Sequence, residues 1–129
     1  MKHVVGIGTD LEPVDSFRKK PFEKNPRFYA RIFSPGEIKY CLKFKDPYPR
    51  FAARFCAKEA MVKAVDEIRK SYITEFEVEK TPSGRPTIVA RKKSRSLASF
   101  FLNYCCKLSI SHTDHMALAF VVVTEKHRT

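Results

Sequence analysis

The 129-residue chain predicts a single α+β domain, residues 1–129, with an antiparallel sheet packed against a long central helix and shorter helices. Three observations predict it. Tyr72 to Lys80 alternates apolar and polar residues with the period of a strand, and the short apolar runs near both ends, His3 to Gly8 and Met116 to Thr124, also read as strands. Phe51 to Val65 is a fifteen-residue run at helical spacing, with eleven apolar members. Turn residues separate these runs at short intervals.

The elements follow in order. His3 to Gly8 reads as a strand with Val4, Val5 and Ile7 inward, and Thr9-Asp10 closes it in a polar loop. Pro13 to Lys24 is basic and mixed, a short helix broken near Pro21. Pro26 can start a helix running to Phe33. Ser34-Pro-Gly-Glu37 is a capping box, and its helix extends to about Phe44. Lys45 to Pro49 is a loop, since its prolines cannot donate. The long helix covers about Arg50 to Arg69. Tyr72 to Lys80 alternates as a strand, Thr81 to Pro86 turns, and Thr87 to Arg91 returns as a hairpin partner. Ser94 to Tyr104 is an amphipathic helix with Leu97, Ala98, Phe101 and Leu102 inward. Lys107 to Ser111 and Met116 to Thr124 are strands joined at Thr113-Asp114.

No apolar run reaches the roughly 18 to 20 residues of a membrane span, and Asp10 follows the first apolar stretch too closely for a signal peptide. A cytoplasmic location is expected. The four cysteines form no C-x-x-C pair and read as reduced thiols, mostly buried. The net charge of +11, from 25 Lys and Arg against 14 Asp and Glu, favours an anionic partner or simply a soluble surface.

The long helix carries the functional signal. Arg54, Lys58, Glu59 and Lys63 interrupt an otherwise apolar run, in a helix packed nearly all round. Charges there need partners or a ligand. A Glu59–Lys63 pair at i, i+4 on the surface is the simple alternative. Otherwise the cations suit phosphate oxygens. A carboxylate among them then calls for a hard cation such as Mg²⁺, which uses one or two protein carboxylates with phosphates and water. Asp10, beyond a strand and two glycines, is the best-placed second carboxylate.

GIGTDLEPV, Gly6 to Val14, and RFCAKEAMVKAV, Arg54 to Val65, together resemble the signature of the 4′-phosphopantetheinyl transferase superfamily. KLSISHTDHMALAFVVV, Lys107 to Val123, resembles its third block, and NPRFYARIFSPGEI, Asn25 to Ile38, and PSGRP, Pro82 to Pro86, also fit. The blocks keep the family's order over most of the chain. The closest type is the short, single-domain holo-[acyl-carrier-protein] synthase.

The resemblance implies a 4′-phosphopantetheinyl transferase-like fold and transfer of 4′-phosphopantetheine from coenzyme A to a serine of apo-acyl carrier protein, with Mg²⁺ and release of adenosine 3′,5′-bisphosphate. It places Mg²⁺ on Asp10 and Glu59, and puts Lys63 at the phosphates. It lines the coenzyme site with Arg54, Lys58, Ser83, Pro86, Ser111 and His112. It also implies a homotrimer with sites between subunits. Lys58 and Lys63 would stabilise the leaving bisphosphate. Glu59, directly or through water, would take the serine proton, with a metal-bound hydroxide as the rival base.

An acidic carrier would dock on Arg18, Lys19, Lys20, Arg27 and Arg31. Arg91 to Arg95 is a second basic cluster, read as a solvated helix start. His112 and His115 lack a clear third ligand for zinc. Two features depart from the family: no glycine-rich loop follows Val65, and Ala53 replaces its glycine. Two other readings stay open: a non-enzymatic basic module binding RNA, which leaves Asp10 and Glu59 unexplained, and a degenerate member that only binds coenzyme A.

Overall fold

The computed structural model describes residues 3–91 and 95–126. Its strands are β1 (Val4–Pro13), β2 (Phe76–Lys80), β3 (Pro86–Ala90), β4 (Tyr104–His112) and β5 (Met116–Glu125). Its helices are α1 (Asp15–Arg18), α2 (Pro26–Ile32), α3 (Pro35–Cys41), α4 (Tyr48–Val65) and α5 (Arg95–Asn103). The single expected sheet is two antiparallel sheets: β1-β5-β4, with β5 central, and the β2-β3 hairpin.

α4 lies across the larger sheet, and the contact explains both glycines of the first motif. A Cβ on Gly6 would lie 1.8 Å from the Ala64 carbonyl oxygen, and one on Gly8 1.9 Å from that of Ala60. Strand and helix therefore meet backbone to backbone, with alanines opposite the glycines. Ala117, Ala119, Val121 and Val123 of β5 pack from the same side and are buried. Gly8→Ala is expected to cost about 3 kcal/mol or more by forcing β1 off α4, read as a lowered urea midpoint.

Because the glycine face is the inner one, the expected burial of Val4 and Ile7 is reversed; both are exposed. β1 also continues past Gly8 to Pro13, so Thr9 and Asp10 belong to the ladder, paired with Phe120 and Ala119. Pro13 ends an edge strand, where its missing N–H costs least. β4 is likewise longer than expected and follows α5 directly.

Other boundaries shift for local reasons. α3 ends at Cys41, before the expected Phe44. α4 ends at Val65, not Arg69, because Ile68 and Arg69 both donate to the Val65 carbonyl at 2.8 and 2.9 Å and close a turn. Without glycine, the next segment is held by Glu75, which pairs with Arg69 at 3.2 Å and accepts from the Tyr72 N–H at 2.9 Å. A 3₁₀ turn at Ile73–Glu75 thus takes the first part of the expected 72–80 strand. In α5, Leu97 and Phe100 face inward while Ala98 is exposed and Leu102 is 76% exposed. The helix is turned so that Phe100 stacks on Tyr104, with ring centroids 4.7 Å apart. Ser94, the expected start of that helix, lies outside the described residues.

An aromatic cluster ties the basic segment to α4. Tyr29 sits within 4.7 to 6.1 Å of the rings of Phe17, Phe33 and Phe51, and its hydroxyl donates to the Phe17 and Lys20 carbonyls at 3.0 and 2.7 Å. Cys41 and Cys56 are buried, Cys105 and Cys106 half-buried, and all four are free thiols. Burial pushes the Cys41, Cys56 and Cys106 thiols up to about 12.

Candidate active site

β1 and the middle of α4 bring Asp10, Glu59 and Lys63 together. The Lys63 ammonium donates to the Thr9 carbonyl at 3.0 Å and to Asp10 Oδ1 at 3.4 Å. Lys63 thus reaches across to β1, in place of the alternative i, i+4 surface pair with Glu59. Asp10 Oδ2 is buried and receives no hydrogen bond from the described residues. Burial and then the Asp10 charge push the Glu59 carboxyl above its ordinary value, while Lys63 opposes them.

A third carboxylate joins these two. Strand alternation puts Glu12 beside Asp10, on the inner face shared with Gly6 and Gly8. Burial, Asp10 and Glu59 raise its pKa, and Lys63 lowers it. Sequence reasoning missed Glu12 because it ended the strand at Gly8; period two carried on to Pro13 would have found it. Cys56, nearby, is committed elsewhere, its thiol donating to the Ala117 carbonyl at 3.3 Å.

Arg54, Pro86 and His112 meet in a separate cleft of about 220 Å³, joined by Tyr40, Arg50 and Lys80. Arg54 is buried with its guanidinium 4.0 Å from the centre of the Tyr40 ring, and its Nε has no hydrogen-bond partner among the described residues. The Lys80 ammonium lies 4.9 Å from the same ring. Ala53, buried, forms part of the wall. This cleft and the Asp10–Glu59–Lys63 group are distinct, since none of those three residues lines it. Ser83 lies in the hairpin turn, its hydroxyl 2.9 Å from that of Thr81. Ser111 and His112 are both exposed on β4, on alternate faces.

Lys58, which the resemblance places at the coenzyme site, does not line the cationic cleft. It is fully buried and pairs with Glu37 Oε1 at 2.5 Å, while donating to the Ile32 carbonyl at 2.7 Å. Glu37 is the N3 residue of the capping box. Its Oε1 also accepts from the Ser34 N–H at 2.8 Å, and its Oε2 from the Val78 N–H at 2.8 Å. Ser34 in turn hydrogen-bonds Glu77. Burial pushes the Lys58 ammonium below its ordinary value, and Glu37 opposes this. The pair is therefore a buried tie between α3, α4 and β2.

The basic docking candidates are also sorted by the structure. Arg18 is engaged internally, with Asp46 at 2.6 Å and the Asp114 carbonyl at 2.7 Å. Lys19, Lys20, Arg27 and Arg31 are exposed. In the second basic cluster, Lys92, Lys93 and Ser94 lie outside the described residues.

Residues 6–120 match the family model of the 4′-phosphopantetheinyl transferase superfamily. The chain belongs to that superfamily. Among its curated relatives is a holo-[acyl-carrier-protein] synthase of Koribacter versatilis, 36% identical over 95% of this chain and 99% of the relative. One of Clostridium kluyveri is 38% identical over 93% of this chain and 90% of the relative. The crystal structure of the Helicobacter pylori holo-[acyl-carrier-protein] synthase in complex with coenzyme A superposes with a TM-score of 0.73 at 30% identity, covering 91% of this chain and 98% of that one. The transferase fold expected from the sequence motifs is thus the fold observed.

Proposed function

We propose that this chain is a holo-[acyl-carrier-protein] synthase. It moves 4′-phosphopantetheine from coenzyme A to a serine of an apo-acyl carrier protein and releases adenosine 3′,5′-bisphosphate. The convergence of Asp10, Glu59 and Lys63 is the observation that carries this reading. Carboxylates beside a lysine, one with an orphaned buried oxygen, form a place for a cation that in turn holds a phosphate.

The residues present fit Mg²⁺. Asp10 Oδ2 points at no donor, and two adjoining glutamates add negative charge. Among the described residues, no three His, Cys, Asp or Glu side chains gather closely enough to hold a metal alone. Mg²⁺ usually completes its shell with substrate phosphates and water, so one or two protein carboxylates are enough. Asp10 and Glu59 would hold it, and when bound it would neutralise pyrophosphate charge.

The protein's own groups do the rest. Lys63 sets an ammonium against the phosphates, where charge develops on the leaving bisphosphate oxygen. Glu59, directly or through a water, takes the proton as the serine oxygen forms its bond to phosphorus and the bond to the bisphosphate breaks. Arg54, Arg50, Lys80 and His112 offer donors to the adenosine half, chiefly its 3′-phosphate. That cleft and the carboxylates come together across a subunit contact. A homotrimer supplies it: exposed Ile7, Leu11, Leu118 and Phe120 share the sheet face turned away from α4. Leu11 pairs directly with Leu118 there.

The acidic carrier docks on Lys19, Lys20, Arg27 and Arg31, and serves assembly of fatty acids or related chains. Among the described residues no helix is long and apolar enough to cross a membrane, in keeping with action in the cytoplasm.

Mass spectrometry of an apo-carrier incubated with the protein, Mg²⁺ and coenzyme A tests the reading. One added phosphopantetheine supports it; no gain across a panel of carriers overturns it. The pH profile is a second check. Because Glu59 and Glu12 are raised, protonation begins at a higher pH than for an ordinary glutamate. The acid limb of kcat/KM, which reports the free enzyme, is expected above the range of an ordinary glutamate. Lys63→Met removes the cation that favours both carboxylates, so it moves the limb to still higher pH.

A further inference from the structure

The cationic cleft holds Arg50, Arg54 and Lys80 with no acid to neutralise them. Among the described residues, no carboxylate forms an ion pair with any of the three. What they share is Tyr40, on α3. The Arg54 guanidinium lies over its ring, 4.0 Å from the centre, and the Lys80 ammonium lies 4.9 Å from the same centre. Arg50 rests 3.4 Å from the centre of the Phe44 ring, which meets the Tyr40 ring edge-on at 5.3 Å. Burial raises the Tyr40 pKa. Hydrogen bonding from Lys80, the Arg54 and Lys80 charges and hydrogen bonding from Arg50 outweigh it, so the phenol titrates below its ordinary value. All three cations therefore bear on one side chain. Its backbone is held, because Glu37, one turn earlier on α3, accepts from the Val78 N–H of β2 and pairs with Lys58 of α4.

We infer that Tyr40 is a positioning residue that gathers Arg50, Arg54 and Lys80 into one fork for the 3′-phosphate of coenzyme A. The inference rests on the transferase reading above. Three like charges in a small cleft repel one another and need a partner. A carboxylate would hold them but would also repel the phosphate. A neutral phenol holds them by its ring face and hydroxyl and leaves their charge for the ligand. The Arg54 donors stay free, because a guanidinium lying over a ring directs its N–H groups sideways. Its Nε, buried and with no partner among the described residues, is one of them. Lys80 comes from β2, Arg50 and Arg54 from α4, and Tyr40 of α3 joins the two.

Coenzyme A and dephospho-coenzyme A, which lacks only the 3′-phosphate, separate this role from a general loosening of the fold. Calorimetry with Mg²⁺ would compare the wild-type protein with Tyr40→Phe, which keeps the ring and removes the hydroxyl, with Lys80→Met, and with the double variant. Lys80 is exposed, so its change tests the same fork with the core intact. Tyr40→Phe is expected to weaken coenzyme A about three- to tenfold and to leave dephospho-coenzyme A within about twofold. The KM for coenzyme A should rise more than kcat falls, since Tyr40 lies in the cleft and apart from Asp10, Glu59 and Lys63. The double variant should lose less than the product of the two single losses, because Tyr40 acts through Lys80. Thermal melts of each variant confirm folding. If both ligands weaken alike, if neither changes, or if the single losses multiply, the assignment is wrong. A fall in kcat with coenzyme A binding unchanged also overturns it. If the wild-type protein binds both ligands equally, the cleft does not read the 3′-phosphate, and the inference fails while the transferase reading stands. If it binds neither, the transferase reading itself fails.

Discussion

Replacing Glu59 with Gln, or Asp10 with Asn, is expected to lower phosphopantetheine transfer by about a thousandfold or more while the protein stays folded. Each change keeps the shape of the side chain and removes its charge. Neither side chain lies in the apolar core, and the β1 ladder through Asp10 depends on its backbone. On the proposed mechanism, what is lost is the ability to hold a cation against phosphate and, for Glu59, to take the serine proton. If both residues serve one ion, as proposed, the two losses should not simply add. Turnover of the carrier by either variant at the wild-type rate would remove both residues from the chemistry.

Lys58→Met should act on stability instead. It leaves the Glu37 carboxylate buried with two backbone N–H donors but no cation. Breaking a buried pair from one side costs about 3–5 kcal/mol, or a fall of roughly 10–20 °C in Tm. Glu37→Gln alone strands the lysine and should also destabilise. Changing both together should cost less than the sum, since no lone charge remains. Differential scanning calorimetry of the three variants checks this. An unchanged Tm in Lys58→Met, with a large rise in the KM for coenzyme A, would return Lys58 to the ligand site.

The contrast between these residues shows what could be read along the chain. Asp10 and Glu59 were legible because their chemistry demanded a partner and the glycine pair marked a backbone contact. Lys58 was misread because its partner belongs to a capping box 21 residues away. A box explains its glutamate locally, so nothing signalled a second, long-range duty. Ile7 and Val4 were misplaced because a short apolar run does not say which face is inside; the glycines, being small, held that information. Glu12 was hidden by a strand ended too early at polar residues. The 3₁₀ turn before β2 depends on Glu75 gripping Arg69 and Tyr72, a side-chain event with no periodic trace.

The central claim is that Asp10 and Glu59 jointly hold a divalent ion against the phosphates of coenzyme A. Electron paramagnetic resonance of Mn²⁺ titrated into the protein with coenzyme A tests it most directly. The wild-type protein should bind Mn²⁺ tightly only when coenzyme A is present, and Asp10→Asn and Glu59→Gln should each weaken that binding at least tenfold. Equal Mn²⁺ affinity in all three proteins would contradict the claim.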